Sequence, residues 1–133
     1  MSASLAVQRM MAAALAGVAG VTGVYDGPPV DAVSPYLVIG GDLVSDWSTK
    51  TETGHEHRVS VNVWHAGPGA APVKATMGAV EAALAGLNGL RDGHRLVSAR
   101  LLRTLVLTDA EGWTQGIIEF RMRTIAVCFN RKG

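Results

Sequence analysis

The chain has 133 residues, of which 48% are hydrophobic and 17% charged, with a formal net charge of +1. That size suits a single domain over residues 1–133 whose core needs no disulfide or metal, and the composition is too apolar for a disordered chain. The balance gives no basic excess for nucleic-acid binding and no acidic excess for a solvating tail, while the low surface charge suits a subunit that buries part of itself in an assembly.

From the N-terminus, Ser2 or Ser4 is a candidate helix cap, and Leu5, Val7, Met10, Met11, Ala14, Leu15 and Val18 recur at helical spacing in an Ala-rich run. A secretory signal is the rival reading, because Arg9 precedes the apolar run Met10 to Val21. The run is mostly Ala and Gly, its charge lies inside the chain, and it falls short of the ~18 apolar residues a membrane span needs. Gly17, Gly20 and Gly23 end the helix, and Val24-Tyr25 is a short extended piece before the turn Asp26-Gly27-Pro28-Pro29. Tyr36 to Gly40 reads as a short buried strand.

Gly41 to Glu56 is polar and without sustained periodicity, so it is expected as a long functional or mobile connection. Within it Trp47 either tucks back onto the sheet or anchors an interface. His57 to Trp64 carries the clearest strand pattern, with Val59, Val61 and Val63 alternating with Arg58, Ser60, Asn62 and Trp64. After the breakers Ala66 to Pro72, helix two places Val73, Met77, Val80, Leu84 and Leu87 on one stripe and stops at Asn88-Gly89. The last third reads as a hairpin: His94 to Leu107, a turn over Thr108 to Gly112, and Trp113 to about Val127. Ile118, Phe120 and Met122 alternate there with Glu119, Arg121 and Arg123, and Arg100 and Arg103 extend the charged face. That face is either solvated, with pairing to Glu119, or an intersubunit or lumen-facing surface. Residues 128–133 are expected as a loose end, and Cys128, the single cysteine, as a plain thiol in a reducing compartment. The order helix, strand, strand, helix, strand, strand predicts an α+β domain, an antiparallel sheet of about four strands with two helices mainly on one face.

Motifs for chemistry are sparse. His55 and His57 lie two apart on a strand and point the same way, so with His65 or His94 they could hold a divalent metal in a small enzyme or ligand-binding domain. No carboxylate follows within Arg58 to Val63. Gly67-Pro68-Gly69 lacks the remainder of a nucleotide-binding fingerprint, and no serine sits in a nucleophile elbow.

The ordered set Val24-Tyr25-Asp26-Gly27-Pro28-Pro29, Pro35-Tyr36-Leu37-Val38-Ile39-Gly40, Asp46-Trp47-Ser48-Thr49, Gly54 with Glu56-His57-Arg58, and Val61-Asn62-Val63-Trp64 resembles the tail completion or tail terminator family of long-tailed bacteriophages. Counterparts in prophages and gene transfer agents are the most similar. The resemblance spans about residues 3 to 125 and includes Gly93-His94-Arg95-Leu96-Val97. It implies a virion structural subunit, assembled in the bacterial cytoplasm, that forms a hexameric ring on the head-proximal end of the tail tube. There it would stop tube growth and join the tail to the head connector or stopper protein, with DNA passing through the lumen. It implies no cofactor, no membrane partner and no catalytic residues. Asp46, Trp47, Lys50, Glu52, Arg100, Arg103, Glu119, Arg121 and Arg123 are the candidate interface residues.

Overall fold

The computed structural model describes residues 2–27 and 29–127. Its elements are α1 (Ala3–Leu15), β1 (Val24–Tyr25), β2 (Tyr36–Asp46), β3 (Gly54–Ala66), α2 (Ala71–Leu84), β4 (Gly89–Arg91), β5 (His94–Thr108) and β6 (Trp113–Ala126). Pro28, Cys128 and the expected loose end at 128–133 lie outside the described residues.

The strands form one six-stranded sheet in the order β1-β2-β3-β6-β5-β4. β1 pairs with β2 in parallel, and every other neighbouring pair is antiparallel. The expectation of about four antiparallel strands is therefore corrected to six mixed strands, curled into a half-barrel. The two extra strands are the edges, which are two and three residues long and carry too few alternations to register as a period.

One face of the sheet is covered. Val59, Val61 and Val63 of β3 and Ile118, Phe120 and Met122 of β6 are buried, as the period-two pattern requires. Against them α1 buries Ala6, Val7, Met11 and Leu15, and α2 buries Val73, Met77, Val80 and Leu84, in one continuous core. Ser2 is the cap of α1, its side chain accepting from the Leu5 N–H at 3.0 Å. Ser4 instead donates to Asp42 on β2. Helix α2 ends at Leu84, and Gly86 follows with φ +71, so Leu87 packs on the core from beyond the helix.

β2 differs most from expectation. It runs on past Gly40 to Asp46, and the long connection shrinks to residues 47–53. A bulge makes this possible: the β2–β3 register shifts between Gly40 and Asp42, and Gly41 has φ +65. A Cβ at Gly41 would stand 2.8 Å from Ser60 Oγ. After the extra residue the alternation changes phase, so Leu43 is 65% exposed, and no single period spans the strand.

α2 approaches β6 closely at Gly116, where a Cβ would lie 2.5 Å from Met77 Sδ and 2.7 Å from Val73 Cγ1. Gly116→Val should therefore lower the unfolding free energy by about 1–3 kcal/mol through overpacking. Gly78, inside α2 with nothing within 4 Å of its missing Cβ, is the opposite case, and Gly78→Ala should raise stability by about 0.5–1 kcal/mol. Denaturant unfolding of both variants checks the pair.

Candidate assembly surface

The face of the sheet turned away from the helices is organised in rows, because directly paired residues on neighbouring strands project to the same side. From β2 to β5 the rows read Tyr36–Trp64–Gln115–Leu107, Val38–Asn62–Ile117–Leu105, Gly40–Ser60–Glu119–Arg103, Leu43–Arg58–Arg121–Arg100 and Ser45–Glu56–Arg123–Ser98. Arg95 follows beside Ile125. One half of this open face is thus aromatic and aliphatic, and the other is rich in arginine.

In the aromatic half, Tyr25, Tyr36, Trp113 and Trp64 form a chain of edge-to-face contacts with centroids 6.0, 6.3 and 6.2 Å apart. Gln115 Nε2 donates to Asn62 Oδ1 at 2.9 Å. Together with Pro29, Val38 and Asp109, all of these residues but Tyr25 line an open cleft of about 400 Å³. The sequence does not reveal this cleft, because its members come from four separate stretches of the chain.

In the basic half, six arginines (Arg58, Arg95, Arg100, Arg103, Arg121, Arg123) share the face with two glutamates, although the whole chain has a net charge of only +1. Arg103 donates to Glu119 at 3.0 Å and Arg123 to Glu56 at 3.0 Å. The hydrogen bond from Arg103 holds the Glu119 carboxyl below its ordinary value; desolvation opposes this, and the nearby charges of Arg103 and Arg58 add to it. Arg58, Arg121 and Arg100 stand directly beside one another across three strands, an arrangement that costs stability unless an anion or partner compensates it. Arg121 Nε is buried without a hydrogen-bond partner among the described residues.

The nine expected interface residues fall into two groups. Arg100, Arg103, Glu119, Arg121 and Arg123 share the open face, whereas Asp46, Trp47, Lys50 and Glu52 sit at the end of the sheet. The groups meet at Arg123, whose guanidinium lies over the Trp47 ring at 4.9 Å. Trp47 therefore tucks back onto the sheet, half-buried, and its N–H donates to Gly54 O at 2.9 Å. Ser48 closes the same turn, donating to Asp46 at 2.6 Å and accepting from the Gly54 N–H at 3.0 Å. Lys50 and Glu52 are exposed at the tip. Arg58 and Glu56 complete the charged face through the pairing of β3 with β6.

His55 and His57 project to the helix-covered side. Their ring centroids are 6.2 Å apart, and His57, fully buried, hydrogen-bonds through Nε2 to Thr124 Oγ1 at 2.9 Å. His65 stands at the far end of β3. Among the described residues no three His, Cys, Asp or Glu side chains gather into a metal-holding group, and no helix is long and apolar enough to cross a membrane.

Comparison with known proteins places these features. The family model for tail completion protein gp17 matches residues 6–125. A chain from the virion of a native gene transfer agent particle superposes with a TM-score of 0.73 at 28% identity, covering 94% of this chain and 96% of that one. No curated protein matches. A subunit of the virion tail is the class that this fold and these matches define. Within that class, the chain belongs to the tail completion protein gp17 family.

Burial holds the His57 imidazole below its ordinary value of 6.5; the charge of Asp42 opposes this, and His55 and His94 reinforce it. As pH falls through 6.5 the unfolded chain takes up this proton first, so the stability from neutral His57 is complete above that value. It declines from there down to the lowered value of the folded state. The unfolding free energy should fall as pH drops through 6.5, and His57→Gln should flatten that slope. Glu119 acts in a separate, more acidic window, below its ordinary 4.5.

Proposed function

We propose that the protein is the ring-forming completion or terminator subunit at the head-proximal end of a tail tube, in a phage, a prophage or a gene transfer agent. Six copies would close into a ring that stops tube growth and presents a surface to the head connector or stopper protein. The observation that carries this reading is the near end-to-end likeness to a chain of a gene transfer agent virion. The open face supports it, since a broad mixed surface of aromatic, aliphatic and arginine side chains is the composition of a protein interface. Residues 1–133 act in this reading as one structural unit without a catalytic residue or cofactor. No observation favours the alternative of a metal site at His55 and His57.

A ring needs heterologous contacts with a fixed rotation. Native mass spectrometry of the chain, alone and with its tail tube protein, should give a closed ring of identical subunits or tubes capped by such rings. A monomer under both conditions overturns the reading, and stoichiometric bound metal on that monomer would replace it with the histidine site. With the arginine half of the open face directed into the lumen, passing DNA would be held by its phosphates and without sequence preference. The slope of log K against log salt for DNA binding by the ring should then fall by about one for each phosphate contact that Arg121→Ala removes.

A further inference from the structure

The two flanks of the sheet are left largely unpaired. β1 covers only Leu37 and Val38 of β2, and β4 covers only His94 to Leu96 of β5. Beyond those residues the outer edges of β2 and β5 present backbone N–H and C=O groups that have no backbone partner among the described residues, except at Ala99, whose carbonyl accepts from the Gly86 N–H at 3.4 Å. Bulges interrupt both edges, between Gly40 and Asp42 on β2 and at Leu96/Ser98 and Leu101/Arg103 on β5. Two unbroken free runs remain, Asp42 to Asp46 and Arg103 to Thr108.

Most of the exposed large hydrophobic side chains lie along these same edges. Leu43 and Val44 are on β2, and Val97, Leu101, Leu102, Leu105 and Leu107 are on β5; only Val30, Val33 and Leu90 lie elsewhere among the described residues. An exposed apolar edge invites another strand, and proteins blunt such edges with lysine or proline. Neither free run contains either residue. The charges in the runs are engaged within the chain: Ser4 donates to Asp42, Ser48 to Asp46, and Arg103 to Glu119.

Direction also fits. β2 is antiparallel to β3, β3 to β6 and β6 to β5, so β2 and β5 run in opposite senses. A second copy related by rotation about a ring axis therefore brings its β2 beside β5 in the antiparallel arrangement that short strands pair in most readily. Because Arg103 to Thr108 lies at the Tyr36 end of the sheet and Asp42 to Asp46 at the other, the two runs meet when the strands are tilted to that axis, the stagger of a closed sheet. We infer that the β5 edge of one copy, over Arg103 to Thr108, adds to the β2 edge of the next, over Asp42 to Asp46, with Leu105 and Leu107 against Leu43 of the neighbour. This rests on the ring reading above and specifies its interface. The two edges differ, so the contact is heterologous, and the curl of each sheet turns successive copies toward closure.

The test uses Leu43→Lys and Leu105→Lys, each at an exposed site, with Leu90→Lys, exposed on β4 outside the two free runs, as control, and thermal unfolding to verify the fold. Each edge variant alone should be monomeric at concentrations about tenfold or more above those at which the wild type assembles, while Leu90→Lys assembles normally. An equimolar mixture of the two edge variants should form a one-to-one dimer and nothing larger, because each retains one intact and different edge. In the wild-type ring, hydrogen exchange at residues 42–46 and 103–108 should slow by about tenfold or more relative to dilute monomer. A ring that persists in either edge variant, or a mixture that stays monomeric, overturns the edge pairing and leaves the ring reading standing. A wild type that is monomeric alone and on tail tubes overturns both.

Discussion

The structure depends on the pairing of β3 with β6. It runs without a bulge from Gly54 opposite Ile125 to Ala66 opposite Trp113. Every other strand reaches the sheet through one of these two, with β2 on the outer side of β3 and β5 on that of β6. Both central strands bury alternate residues, and a shift of one residue in either would move its valines or its Ile118-Phe120-Met122 set to the wrong face. This constraint fixes the rows of the open face. Arg58, Arg121 and Arg100 stand side by side because Val59, Phe120 and Ala99, their neighbours in sequence, must face the helices.

Where pattern and structure agree, one period governs a whole element. The strand around Val61, the stripe of α2 and the second arm of the hairpin, β6, all meet that condition. The hairpin turn was legible too, since Asp109 folds it by accepting from the N–H groups of Glu111 and Trp113 at 2.9 and 3.0 Å. β2 could not be read through because Gly41 inserts a residue and reverses the phase. The Asp92-Gly93 pair joining β4 to β5 did carry a signal: both residues have positive φ, 53 and 81, as a two-residue hairpin requires. It went unread beside the competing stop signal at Asn88-Gly89.

The candidate surface was legible in part for the same reason. Arg100, Arg103, Glu119, Arg121 and Arg123 come from one hairpin, and alternation alone groups them. Arg58 and Glu56 join them only through the β3–β6 register, a long-range pairing that no local pattern encodes. Trp47 had two equal prospects in the sequence. What decided it was Arg123, more than seventy positions away, whose guanidinium offers its ring a cation while Glu56 neutralises the other side of that cation.

The sheet separates stability from association. The helix-covered face holds the continuous apolar core, and His57, the one fully buried titratable side chain among the described residues, is kept neutral and hydrogen-bonded. The open face keeps unlike groups close: aromatic rings in one half, and in the other a row of three arginines, none of which forms an ion pair among the described residues. A monomer gains nothing from three adjacent arginines or from leucines along a free edge, and each lowers its stability or solubility. In the proposed ring that cost would be recovered when a neighbour covers the edge and an anionic surface meets the row. The bulges fit the same logic, because by interrupting both edges they leave one short run on each flank and so limit the registers in which two copies can join.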